Sequence, residues 1–212
     1  MIKKKNQAPG ASQRPWFDLA DVVIGVDEVG RGCLAGPVVS CALALKETSM
    51  DHQLFDSKSL KAQVREKIVD LLNEKAVYAL GEASVEEIDE LNILQASLLS
   101  MRRAVVALQR KMPLKNALIL IDGNQSVPGI PLGEQRTVIQ GDAIYAPISA
   151  ASIVAKVYRD KLMKGLDARF PQYAFGIHKG YGTSLHREAI KTWGPCMVHR
   201  RSFKGVREFC SP

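Results

Sequence analysis

The stretch Val22-Val23-Ile24-Gly25-Val26-Asp27-Glu28-Val29-Gly30-Arg31-Gly32 constrains this chain more than any other. An apolar run of this kind reads as a buried strand that meets two adjacent carboxylates and then a glycine-broken turn carrying one arginine. Such an exit sets the acids at the mouth of the fold. Successive strand side chains face opposite ways, so Asp27 and Glu28 are expected to share a site only if the strand ends or bulges there. Gly30 and Gly32, each able to take a positive φ, are expected to supply that break. Alone, the pair would read as an ordinary strand exit with solvated acids.

Other segments end the same way. Ala117-Leu118-Ile119-Leu120-Ile121 is an unbroken apolar run suited to a central strand covered on both faces, and it stops at Asp122-Gly123-Asn124. Thr137-Val138-Ile139-Gln140 leads into Gly141-Asp142. Solvated loop acids explain three strands finishing in carboxylates poorly. Pro37 to Leu45 reads as a second strand, antiparallel to the first because the connection is short, and Val77 to Ala83 as a third.

Between them the spacing predicts helices. Leu60, Val64, Ile68 and Leu71 or Leu72 form one stripe behind a Ser59 cap. Ser84-Val85-Glu86-Glu87 has the form of a capping box, which makes its glutamates structural. A longer helix over about Ile93 to Lys111 turns Leu94, Leu98, Met101, Val105 and Leu108 inward and Arg102, Arg103 and Arg110 outward. Pro147 to about Leu166 carries a small-residue face, and Ser184 to Trp193 is a last helix. Asp160, one helical turn after Lys156, reads as an ion-pair partner. Nothing in the spacing of His178, His186 and His199 requires a catalytic role. The expected organisation is a mobile basic tail over 1–15, an α/β body over 16–169 whose start is pinned by Trp16 and Phe17, and a helical extension over 170–212 packed on the same body.

With 212 residues, 46% hydrophobic and 24% charged, the chain suits one globular core and is not a disordered polymer. No apolar run approaches the roughly 20 residues that span a bilayer, and Met1 to Gly10 lacks the apolar stretch of a secretory leader. A soluble cytoplasmic protein is expected. Four cysteines without a C-x-x-C pair or zinc-ligand spacing fit reduced, mostly buried thiols. A net charge of +7 favours a polyanionic partner.

Asp27, Glu28, Asp122 and Asp142 gathered at strand ends would repel one another and raise each other's pKa unless a cation lay among them. An all-oxygen donor set selects Mg²⁺ or Mn²⁺. Two such ions about 4 Å apart can activate water on one side of a phosphodiester and stabilise the leaving oxygen on the other.

In order along the chain, Asp27-Glu28-Val29-Gly30-Arg31-Gly32, Asp56-Ser57-Lys58, Ile121-Asp122-Gly123-Asn124, Gly141-Asp142, Ile148 to Asp160 and His178-Lys179-Gly180-Tyr181-Gly182-Thr183 resemble ribonuclease HII, the type 2 branch of ribonuclease H. The resemblance spans about Ile24 to Trp193. It implies a ribonuclease H-like mixed sheet of about five strands flanked by helices, with a helical C-terminal extension. It further implies a monomeric endonuclease that cuts the RNA strand of RNA/DNA hybrids and cleaves at single ribonucleotides in duplex DNA, in replication and ribonucleotide repair, leaving 5′-phosphate and 3′-hydroxyl ends. By the same resemblance Asp27, Glu28 and Asp122 match metal ligands, and Asp142 matches a fourth active-site acid. Gly30-Arg31-Gly32 matches the loop that reads the ribonucleotide 2′-hydroxyl, Tyr181 a ring that stacks on the deoxyribose beyond the junction, and Lys58 a phosphate contact.

Each substrate residue has a plainer alternative: a turn with a solvated arginine, a core or surface tyrosine, a surface lysine. Two other functions use part of the same evidence. A different metal-dependent nuclease or strand-transfer enzyme of this fold would keep the acids but lose the Gly30-Arg31-Gly32 and Tyr181 readout. A non-catalytic basic RNA-binding module would need only the charge.

Overall fold

The computed structural model describes residues 16–47, 54 and 61–210. The basic tail, Asp56, Ser57, Lys58 and the Ser59 cap lie outside them. A five-stranded mixed sheet forms the centre, in the order β3-β2-β1-β4-β5. Its strands are β1 (Val22–Val29), β2 (Val38–Leu45), β3 (Ala76–Ala83), β4 (Ala117–Asp122) and β5 (Gln135–Val138). β1 pairs antiparallel with β2, as its short connection requires, and β2 antiparallel with β3. β1 pairs parallel with β4, and β4 parallel with β5.

Helices cover both faces, which is why β2 is buried along its whole length. On one face α3 (Ile93–Gln109) lays Leu98, Met101, Val105 and Leu108 against Ile24, Val26, Ile119 and Ile121. On the other, α1 (Ala62–Lys75) and α4 (Ala146–Arg169) pack on Val23, Leu43 and Leu120. A Cβ on Gly25 would run into the backbone of Pro147 and Ile148, so this glycine lets the first turn of α4 rest directly on β1. α2 (Val85–Leu91) starts at the expected capping box: Ser84 accepts from the Glu87 N–H and Glu87 accepts from the Ser84 N–H.

Several expectations need correction. The β1–β2 register runs unbroken from Ile24↔Ala44 to Val29↔Val39, so the strand neither ends nor bulges at the acids. Gly30 has φ 96°, but Gly32 is not left-handed; Gly36, at φ 80°, is the second positive-φ glycine of this loop. α1 begins at Ala62, with Lys61 at the capping position and no side-chain cap. Its buried stripe is Ile68 and Leu72, while Val64 and Leu71 are exposed. Trp16 is buried but Phe17 is 51% exposed, so only the tryptophan anchors the start of the body.

The C-terminal segment holds α5 (Phe175–His178) and α6 (Ser184–Trp193). It meets the loop between β1 and β2 through the bridges Cys33↔Tyr181 and Ala35↔His199 and through packing of Tyr173 and Phe175 on Ala35 and Met163.

Candidate active site

The site follows from an unequal pairing of strands. β1 stays paired with β2 to Val29, but its ladder with β4 stops at Val26↔Ile121. From Asp27 onward β1 therefore has a partner on one edge only, and Asp122, the last residue of β4, lies beside the opened edge. A notch forms there without any break in β1. Asp27 faces the α4 side and Glu28 the α3 side, yet both reach the same opening because Glu28 stands next to the strand tip.

A cavity of about 320 Å³ fills the notch, lined by Asp27, Glu28, Asp122 and Asp142 together with Arg65, Ser152, Lys156 and Tyr181. Asp27 is almost fully buried and accepts a hydrogen bond from the Glu28 N–H at 2.7 Å. Burial, then the nearby Glu28 and Asp122 charges, push its carboxyl well above the usual range, against the opposing effect of a Ser152 hydrogen bond. Burial also raises Glu28, in spite of Arg31 at 3.3 Å. Asp122 accepts from the Gly141 N–H at 2.7 Å, which ties β4 to the 3₁₀ turn Gly141–Ala143. Asp142 sits in that turn, behind Gln140 in the left-handed region (φ 56°), and not at a strand end.

The donor set is all carboxylate oxygen, supplied by three separate elements around open space. Among the described residues, no three His, Cys, Asp or Glu side chains are already drawn in to hold a metal ion. The acids are instead held against the walls by the Glu28 and Gly141 amides and by Arg31. Such a site suits a hard divalent cation, which would replace like-charge repulsion with coordination.

Cations rim the acids. Asp160 binds Lys156 at 2.7 Å, as its spacing predicts, and also Arg65 at 3.6 Å. Sequence reasoning missed Arg65 as a cavity residue, because nothing in an amphipathic helix says what its polar face looks toward. Tyr181 is 42% exposed, with the Lys156 ammonium 5.6 Å from its ring centre.

The backbone at Tyr181 is held by buried histidines. Gly180 N–H donates to His178 Nδ1, so the His178 proton is on Nε2 and goes to the Tyr173 carbonyl. Cys196 N–H donates to His199 Nδ1, so His199 donates from Nε2 to His186 Nε2, and His186 donates from Nδ1 to the Tyr181 carbonyl at 2.9 Å. All three rings are neutral, His199 and His186 within this chain of donors and His178 stacked on His186, and burial brings His186 and His199 down to about 4.

The structure thus brings Asp27, Glu28, Asp122, Asp142 and Tyr181 to one cavity and places Gly30, Arg31 and Gly32 in the loop beside it. Lys58 lies outside the described residues. The Arg31 guanidinium reaches back to Glu28 at 3.3 Å.

A mixed five-stranded sheet with helices on both faces and acids at a notch between β1 and β4 defines an α/β enzyme of the ribonuclease H type. The crystal structure of ribonuclease H2 from Pyrococcus horikoshii matches with a TM-score of 0.68 at 25% identity, covering 89% of this chain and 96% of that one. Bst-RNase HIII in complex with Mn²⁺ shares the fold at 18% identity and a TM-score of 0.73, covering 88% of this chain and 68% of that one. Residues 24–206 match the Ribonuclease HII family. The ribonuclease HII of Albidiferax ferrireducens is 48% identical over 193 residues, 91% of this chain and 90% of its own length. The chain belongs to the ribonuclease HII family and is a hydrolase.

Proposed function

We propose that the protein hydrolyses the RNA strand of RNA/DNA hybrids and cuts at single ribonucleotides in duplex DNA, giving 5′-phosphate and 3′-hydroxyl ends. The observation that carries this reading is the meeting of four acids from β1, β4 and the Gly141–Ala143 turn in one cavity, bordered by the Gly30-Arg31-Gly32 loop and the exposed Tyr181. In this reading Asp27, Glu28 and Asp122 hold Mg²⁺ or Mn²⁺, and Asp142 positions water or metal more loosely than they do. The bound ion supplies a more acidic water and charge stabilisation at the scissile phosphate.

The protein's own groups do the rest. Arg65 and Lys156 attract the phosphate backbone to the rim while Asp160 holds their side chains in place. The loop beside the cavity is short and glycine-broken, so main-chain donors can come within hydrogen-bond reach of a 2′-hydroxyl, the atom that distinguishes RNA from DNA. Tyr181 offers a half-exposed ring for a sugar to rest on. The partner is accordingly nucleic acid, and we read the protein as a cytoplasmic monomer whose catalytic body, 16–169, is completed by the 170–212 extension. No described helix is long and apolar enough to cross a membrane.

The deciding experiment compares a duplex carrying one ribonucleotide with its all-DNA twin, with and without Mg²⁺ or Mn²⁺. Cleavage is expected of the first only, and only with metal. Asp122→Asn should abolish cleavage and leave duplex binding roughly intact; persisting cleavage would show that the ligand set is wrong.

A further inference from the structure

Two guanidiniums lie under the loop joining β1 to β2. Arg159, from α4, and Arg200, from the C-terminal segment, are both fully buried. Among the described residues neither forms an ion pair. Arg159 donates to the carbonyls of Ala35 and Pro37, at the far end of the loop, and of Lys179 in the C-terminal segment. Arg200 grips the near end, where Nη2 donates to the Gly30 carbonyl at 2.7 Å and Nη1 to the Arg31 carbonyl at 2.8 Å, and it reaches across to the Gly36 carbonyl, which accepts from Nε at 3.0 Å and Nη2 at 2.9 Å. The Phe203 ring lies 5.1 Å from its guanidinium carbon. A buried cation is costly unless its donors are satisfied, and here main-chain oxygens satisfy them.

This grip dictates which way the loop's amides face. The described chain has no cis peptide bond. In a trans peptide the C=O of one residue and the N–H of the next point in opposite directions. With the Gly30 and Arg31 carbonyls drawn inward to Arg200, the N–H groups of Arg31 and Gly32 face outward. Both residues are exposed, and a Cβ on Gly32 would meet nothing within 4 Å, so the approach to these amides is open. Among the described residues, neither N–H is spent on a backbone partner. Two successive amides turned to one side form a concave site for a ligand oxygen.

We infer that Arg200 is a positioning residue for ribonucleotide choice: by holding the Gly30 and Arg31 carbonyls inward, it fixes the two outward amides at which a sugar hydroxyl is read. The inference rests on the ribonuclease reading above and assigns part of its selectivity to a residue that never touches substrate. Charge alone does not suffice, because only a planar fork spans the Gly30, Arg31 and Gly36 oxygens at once.

The test is equilibrium binding, without divalent ion, of a one-ribonucleotide duplex and its all-deoxy twin by full-length wild type and Arg200→Lys. A purely structural role would shrink the active fraction and leave the ratio of the two Kd values unchanged. Loss of positioning should cut that ratio about tenfold or more, the scale on which lost supporting hydrogen bonds act on the groups they orient. In cleavage assays KM should rise, with half-saturation by Mn²⁺ unmoved. An unchanged ratio, or a shift in Mn²⁺ half-saturation of the same size, overturns the inference. If the lysine variant does not fold, a synthetic Cys196–Pro212 peptide joined at Cys196 supplies Arg200→citrulline, isosteric and neutral, for the same measurement. A wild-type ratio near one, with cleavage still confined to the ribonucleotide duplex, would overturn this inference alone; metal-dependent cleavage absent from both duplexes would bring down the ribonuclease reading, which tells the two failures apart.

Discussion

The acid notch and the arginine–histidine layer beneath the neighbouring loop are both clusters of buried charge or potential charge, and they are resolved in opposite ways. In the notch, Asp27 and Glu28 face Asp122, and burial together with these like charges holds the carboxyls above their ordinary range. In the layer, Arg159 spends three hydrogen bonds and Arg200 four on main-chain oxygens, and the histidines settle into a neutral donor chain. Guanidinium forks match carbonyl oxygens and can be satisfied from within the fold; crowded carboxylates need an outside cation. The first region is accordingly tuned for a ligand at the expense of stability, and the second for stability and loop shape.

Breaking each region should therefore give opposite signs. Asp27→Asn should lower turnover on the order of a thousandfold, as loss of a group that stabilises transition-state charge does. It should also raise the melting temperature of the metal-free protein by about 2–4 °C, the equivalent of roughly 1 kcal/mol in a chain of this size. A variant that melts lower would deny that the notch is electrostatically strained. Arg159→Leu should do the reverse to stability, removing about 3 kcal/mol by stripping donors from three carbonyls, read as a lowered midpoint in urea. Its remaining activity should keep the wild-type dependence on metal concentration.

Acid sharpens the contrast. His186 and His199 are held near 4 in the folded protein and titrate near 6.5 once unfolded, so between those values the unfolded chain binds more protons. Their contribution is fully present above pH 6.5 and lost as pH falls toward 4. Urea midpoints measured from pH 7.5 to 4.5 should decline across that window, and His199→Gln should flatten the decline. A slope that the variant leaves untouched would place the acid sensitivity elsewhere. The smallest effect belongs to the capping box of α2, whose hydrogen bonds are part of neither region. Ser84→Ala breaks the capping box of α2 and should cost about 1 kcal/mol with no change in cleavage.

Much of this molecule is legible in its amino-acid order. Apolar runs marked β1 to β4, the capping box marked the start of α2, and the spacing of Lys156 and Asp160 announced their ion pair, whereas β5, expected over Thr137 to Gln140, runs from Gln135 to Val138 with no apolar run to mark it. These depend on neighbours a few residues apart, where periodicity and local hydrogen bonding act directly. The ordered motifs likewise carry the family's signature. Misread was the way Asp27 and Glu28 come to share a cavity: a break within β1 was expected, whereas β4 simply stops pairing first.

What the sequence by itself determined is the order of the elements, their apolar faces and the acids carried at or near the ends of three strands. Only the tertiary structure decided that Arg65 faces the acids, that Arg31 returns to Glu28, and that Arg200 lies under Gly30, 170 positions away along the chain. A polar side chain has no periodicity to reveal its partner, and a charged one reads as solvent-facing until packing surrounds it with carbonyls from distant turns.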